Sequence, residues 1–146
     1  MLVKRATRED INQIIAIIEY YELIAIDNRF DIPVNKDYMF EMFYNVIERD
    51  ECALFLHEHG LIFGMVSSVP WSSTPIVIDQ LFFVKPEYRS TGLASYLAKA
   101  YEEWAKGKGA KFCTLSTASG LDTEIVCKYF KLRGYSKLAD QYFKEL

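Results

Sequence analysis

A chain of 146 residues, 51% apolar and 25% charged, has the size and balance of one water-soluble domain with one core. Its net charge is −3, with acids and bases interspersed and no Lys/Arg run, which argues against nucleic acid as a primary partner. No segment approaches membrane-spanning length, so no membrane partner is expected.

The N-terminus MLVKRATRED lacks an apolar stretch fit for a signal peptide, and the final Lys-Glu-Leu is only part of a retention signal. Cys52, Cys113 and Cys127 are odd in number and lack metal-ligand spacing, as expected of free thiols in a reducing compartment. A cytoplasmic protein with no metal is expected.

In chain order, Leu2–Arg5 reads as a short strand, and Thr7 with Asp10 as a capping pair at the start of a helix. Ile11, Ile14, Ile15 and Ile18 recur at helical spacing, predicting that helix to about Glu22. Ile26–Val34, with Asp-Asn and Pro33, reads as a loop. A second helix is predicted over Lys36–Glu48, with Phe40, Phe43, Val46 and Ile47 as its apolar stripe. Ala53–His57 and Leu61–Val69 read as a hairpin about Glu58–Gly60, and Ile76–Val84 as a long apolar strand. A helix from Gly92 to Lys106 stops at Gly107 and Gly109. Lys111–Ser116 reads as a further strand, and Asp122 as the cap of a helix through Arg133 that ends at Gly134. Tyr135–Lys137 and Gln141–Lys144 are expected to close the sheet. The order β-α-α-β-β-β-α-β-α-β-β implies an α/β domain over residues 1–146, its mixed sheet covered by helices on both faces.

The stretch carrying most chemistry runs from Ile78 to Leu97, where an apolar strand enters a polar turn and then a helix. A helix N-terminus leaves backbone N–H groups unpartnered and carries partial positive charge. Gly92 and Ala94 let an anion approach that backbone, Ser90 and Thr91 add hydroxyls, and Arg89 adds a cation, a combination suited to a pyrophosphate. A Walker loop or a dinucleotide fingerprint needs glycines and a lysine that are not present. An ordinary strand-turn-helix with a capping glycine is the plain alternative for the spacing alone.

In context, Val84-x-Pro86-Glu87-Tyr88-Arg89-x-x-Gly92-x-Ala94 closely resembles the coenzyme A signature of GCN5-related N-acetyltransferases, with Ala94 where Gly is usual. Trp104-Ala-Lys-Gly-Lys-Gly-Ala-Lys and Leu132-Arg-Gly-Tyr135 resemble its later segments, so the likeness spans nearly the whole chain. The wording of Ile78–Val84 is similar to that of small bacterial and bacteriophage-encoded members.

The resemblance implies the family's acyl-CoA N-acyltransferase fold, with acetyl-CoA as cosubstrate. It implies that Leu81, Phe82, Phe83 and Val84 offer backbone groups to the pantetheine arm. Arg89, Ser90, Thr91, Gly92, Leu93 and Ala94 would hold the pyrophosphate. A bulge would part this strand from Lys111–Ser116, and only one of Phe82 and Phe83 can face the acyl group. The partner implied is a small-molecule amine or a protein amino group, with a homodimer allowed.

Transfer from a thioester to an amine needs a neutral amine, a polarised carbonyl and a protonated leaving thiolate. Ammonium groups titrate near ~10, so a base or a desolvating site must take the proton. Asp79 is the candidate base. It is the only acid in an apolar strand, where the family often places its carboxylate. An Asp at the strand's wet end, accepting a hydrogen bond, is the alternative. The family's acid is a Tyr four residues before the Gly that precedes an aromatic, and that position here is Phe130. Tyr129 is the adjacent candidate, rotated by roughly 100° from Phe130 on an ideal helix. Tyr135, Tyr142 or water are the other proton sources, and a non-catalytic acyl-CoA-binding or partner-binding module is the alternative function. His57 and His59 flank Glu58 without a third ligand. Glu19, Tyr20, Tyr21 and Glu22, with Asp27 and Asp31 beyond, are candidate linings of an acceptor cleft, and Trp71 a lid, a partner contact or a core cover.

Overall fold

The computed structural model describes residues 2–24, 32–117 and 122–146. Strand β1 (Lys4–Arg5) leads through a turn at Arg8–Asp10 into α1 (Ile11–Ile24), and α2 (Lys36–Val46) comes next. Then come β2 (Cys52–His57), β3 (Gly60–Ser68), β4 (Pro75–Val84), a turn at Pro86–Thr91, α3 (Leu93–Gly107) and α4 (Thr123–Leu132). The four strands lie in sequence order and pair antiparallel. Residues 26–31, part of the expected loop and including Asp27 and Asp31, lie outside the described residues.

Alternation along the strands sends side chains to two faces, and each face is covered. On one, Ile11 and Ile14 of α1, Phe43 of α2 and Ile47 just after it pack on Leu54, Leu56 and Phe63. On the other, Leu93, Leu97 and Tyr101 of α3 pack on Ile62, Val77 and Val84. Each such aliphatic side chain contributes roughly 1.5–3 kcal/mol on burial. The expected stripe of α2 is narrower in fact: Phe40 is half exposed and stacks on Tyr44 at 6.3 Å between ring centroids.

Between β3 and α3 the packing tolerates no side chain at Gly64. A Cβ built there lies 2.4 Å from Tyr101 Cε2 and 3.2 Å from Trp104 Cζ3. Gly64 also sits where the β3–β4 register slips: Phe63 pairs with Leu81 and Gly64 with Asp79, which leaves Gln80 as an extra residue. This is a β-bulge. It reverses the parity of β4, so Val77 before it and Phe82 and Val84 after it serve the same core. Phe83 goes to the opposite face, against Tyr20 and Tyr21 at 6.3 and 5.2 Å.

Beyond β4 the pairing stops early. The expected strand Lys111–Ser116 is reduced to a parallel bridge between Val77 and Cys113. Lys111, Val77 and Thr114 donate N–H bonds to Pro75, Phe112 and Val77 at 2.9, 3.1 and 3.0 Å. Past the bulge the two chains separate. The expected closing strands are likewise not formed over residues 135–146. Tyr135, which was expected to open them, is held by its side chain: its hydroxyl donates to Glu102 at 3.0 Å, beside the Arg133–Glu102 ion pair at 2.7 Å. Those bonds tie the end of α4 onto α3.

The Thr7–Asp10 pair forms as read. Thr7 N–H donates to Asp10 Oδ2 at 2.9 Å, and Lys4 Nζ reaches Oδ1 at 2.5 Å. Burial pushes the Asp10 carboxyl up, but the Lys4 and Thr7 contacts outweigh it and hold it below the ordinary value of 3.8. A depressed carboxylate stabilises the fold above its unfolded pKa and loses that contribution as pH falls through the folded one. Urea midpoints should therefore drop less between pH 7 and about pH 3 in Asp10→Asn than in wild type.

Candidate active site

The separation of β4 from the Cys113–Thr117 segment opens a cleft of about 410 Å³. One wall is β4 and the turn after it, with Phe82, Phe83, Val84, Arg89 and Ser90. The floor at the start of α3 holds Gly92, Ala94 and Ser95, and the far wall carries Ser116, Thr117 and four residues of α4.

Backbone alternation explains why β4 presents polar groups here. Lys85 N–H donates to His59 O at 2.9 Å, toward β3, so the groups of Val84 and, two residues back, Phe82 point to the other edge. The Val84 carbonyl does so, accepting from Arg89 Nε at 3.2 Å. The cleft thus borders on strand edge that no neighbouring strand covers among the described residues. At its end Gly92 takes φ +84°, the left-handed region glycine enters without a Cβ penalty, and a Cβ there would meet only Tyr96 Cε2, at 3.9 Å. The turn is therefore open at the N-terminus of the 15-residue α3.

Of the ten residues expected to hold the cofactor, seven line this cleft. Leu81, Thr91 and Leu93 do not. Leu81 packs toward α1 and α2, Leu93 is fully buried beneath α3, and Thr91 Oγ1 donates to Tyr88 O at 2.6 Å. Arg89 is not a free cation, since its guanidinium also pairs with Asp122 across the cleft mouth. Asp122 makes no side-chain cap to α4, contrary to expectation. Its backbone takes φ 46°, a conformation Asp tolerates, and its carboxylate serves Arg89 instead.

Tyr129 and Phe130 both line the cleft, because the wall wraps around α4 rather than meeting a single stripe of it. The Tyr129 hydroxyl stands 3.4 Å from Ser95 Oγ. The other phenols are elsewhere: Tyr142 is exposed and Tyr135 is bound to Glu102. Burial, then Cys113 and Glu102, push the Tyr135 phenol far above its usual range, so it remains a neutral donor.

Asp79 is 8% exposed and lies behind the cleft wall, immediately before the bulge. Its carboxylate accepts three bonds: Thr114 Oγ1 to Oδ1 at 2.8 Å, and Ser116 N–H and Oγ to Oδ2 at 2.9 and 3.0 Å. Tyr101, buried under α3, donates its hydroxyl to Thr114 O at 2.9 Å. Burial, reinforced by Asp79 and Cys113, pushes the Tyr101 phenol up and keeps it protonated as that donor. Sequence reasoning missed Ser95, Ser116, Thr117, Ile125 and Val126 as cleft residues. The alternation Thr114-Leu-Ser116 after an apolar run was the available signal for the far wall.

The remaining candidates sit apart from the cleft. Glu19 pairs with Lys36 at 2.8 Å, and the Tyr20 hydroxyl donates to Glu87 at 3.2 Å. His59 stacks on Tyr88 at 3.5 Å and meets Glu58 at 2.8 Å. No group of three metal-ligating side chains occurs among the described residues, and no helix there is long and apolar enough to cross a membrane. Trp71 is 84% exposed and covers no core.

An antiparallel sheet flanked by helices, its last strand splaying beside a glycine-opened helix N-terminus, defines an acyl-CoA N-acyltransferase fold. A sequence model of the Acetyltransferase (GNAT) family matches residues 17–135, and the chain belongs to that family. A search of the curated proteins finds no match. Among solved structures it is similar to aminoglycoside antibiotic 6'-N-acetyltransferase AAC(6')-Ih from Acinetobacter baumannii, at 18% identity and TM-score 0.72 over 99% of this chain and 97% of that one. It is similar to AAC(6')-Iy in complex with the bisubstrate analog CoA-S-monomethyl-acetylneamine, at 17% identity and TM-score 0.74, with 99% and 97% covered. An aminoglycoside acetyltransferase from an uncultured soil metagenomic sample, in complex with sisomicin, matches at 15% identity and TM-score 0.73, with 99% and 95% covered.

Proposed function

We propose that this chain transfers an acetyl group from acetyl-CoA to a primary amine, of a small molecule in preference to a protein, by direct attack on the thioester. The observation that carries the reading is the uncovered edge of β4 running into the turn opened by Gly92. Bound acetyl-CoA supplies an activated carbonyl and a thiolate leaving group. The backbone groups of Phe82 and Val84 suit the amides of the pantetheine arm. The N–H groups from Ser90 to Ala94 suit the pyrophosphate. Because Arg89 is already paired with Asp122, the main chain supplies most of the anion site. The names of the aminoglycoside-modifying neighbours support a small polyamine as acceptor.

Two side chains have the chemistry to move protons. Asp79 receives the one lost by the amine, and the Tyr129 phenol, steadied by Ser95, protonates the leaving sulfur. A second reading, an acyl-CoA-binding module without turnover, draws support from Phe130 at the family's usual Tyr position.

The test is to incubate the protein with acetyl-CoA and sisomicin, spermidine or a lysine-containing peptide while monitoring thiol release. Turnover is expected with at least one amine. Tyr129→Phe should lower kcat about 10- to 100-fold with little change in KM for acetyl-CoA. Cofactor binding with no release from any amine would establish the module instead.

A further inference from the structure

We infer that Ser116 is the cleft-facing end of a proton relay, through which Asp79 takes the proton of the acceptor amine; the inference rests on the acetyltransferase reading. The Asp79 carboxylate is a poor direct contact for substrate. The residue is 8% exposed, it does not line the cleft, and three donors already occupy its oxygens. A carboxylate has about four lone-pair positions in all. Its two hydroxyl partners differ in what they leave open. Thr114 Oγ1 donates to Asp79 Oδ1 and accepts from Asp79 N–H at 3.3 Å, so it is used up within the wall. Ser116 is exposed on the cleft and donates to Oδ2, which leaves its own lone pairs for a donor arriving from the cleft.

Geometry holds this hydroxyl in place from two sides. The Ser116 N–H is bound to the same carboxylate oxygen, and the backbone two residues earlier is held by Tyr101. The bulge at Gln80 sets Asp79 where the β4 edge begins to open. In the step, one N–H bond of the ammonium breaks and its proton forms an O–H bond on Ser116 Oγ. The existing Ser116 proton passes to Asp79 Oδ2, so the serine ends neutral, the aspartate ends as an acid and the amine keeps its lone pair. Asp79 later returns the proton to solvent by the same route.

The experiment compares wild type, Ser116→Ala, Ser116→Thr, Asp79→Asn and the Ser116→Ala/Asp79→Asn pair in the thiol-release assay with the same three amines. Ser116→Ala keeps the backbone N–H to Asp79, so the wall survives it. Ser116→Ala and Asp79→Asn are each expected to lower kcat about 100-fold, with KM for acetyl-CoA within about threefold of wild type and the pair no worse than either alone. The acidic limb of the kcat/KM profile should shift alike in both, and Ser116→Thr, which retains a hydroxyl, should recover most of the rate. A wild-type kcat in Ser116→Ala beside a damaged Asp79→Asn overturns the relay while leaving the acetyltransferase reading intact. So does a loss confined to KM, which would make Ser116 part of the wall only. No thiol release by wild-type protein overturns both.

Discussion

Gly64→Val should lower the urea midpoint and melting temperature of this protein far more than a side chain added at an unobstructed glycine such as Gly107. The Cβ alone would stand 2.4 Å from Tyr101 Cε2, and Tyr101 is fully buried with no room to retreat. Overpacking of a closed core costs about 1–3 kcal/mol and sometimes more, and the upper end is expected where the obstacle is a ring pinned by its own hydrogen bond. The damage should also reach the cleft. Displacing Tyr101 releases Thr114 O, and with it the segment that carries Ser116. Gly107→Ala, whose Cβ meets nothing within 4 Å, is the control and should leave stability within about 0.5 kcal/mol of wild type. Equal stability of the two variants would contradict the packing described for α3 on β3.

The largest functional loss is expected from Gly92→Glu. A non-glycine residue at φ +84° costs on the order of 1–3 kcal/mol of strain. The added carboxylate would stand at the mouth where an anion is to bind, so the affinity for coenzyme A should fall by about 100-fold or more. Calorimetric titration with coenzyme A measures this without requiring turnover. Gly92→Ala adds no charge and meets no obstacle nearer than Tyr96 at 3.9 Å, so it isolates the backbone contribution and should fall between wild type and the Glu variant. Unaltered coenzyme A binding in Gly92→Glu would remove the turn before α3 from the binding site.

The helices and the antiparallel part of the sheet were legible because their signals are local. The isoleucines of α1 recur on one face, Phe43 and Ile47 of the predicted second stripe are buried, and Gly134 ends α4 at φ +90°. The far side of the sheet was less legible for a definite reason. Lys111–Ser116 has a strand's composition, but past Thr114 its partner is the Asp79 side chain rather than a backbone, and composition does not distinguish the two. Tyr135–Lys137 and Gln141–Lys144 are runs of only three and four residues, too short for alternation to outweigh the pull of Glu102 on Tyr135. The open turn before α3 could be read from Gly92 and Ala94, since backbone exposure needs small residues. The pairing of Arg89 with Asp122 could not, because nothing local relates positions 33 residues apart.

The spare residue at Gln80 has a meaning for how this strand can be compared with others or edited. β4 is counted odd before it and even after it: Val77 and Asp79 belong with Phe82 and Val84, not with Leu81 and Phe83. Removing that one residue while keeping every other letter would join the two halves in one regular alternation, with Phe82 still on the face of Val77 and Asp79 but without the kink at the bulge. An odd-even slip of one position, invisible in composition, divides a strand that seals the sheet from one that leaves it ajar.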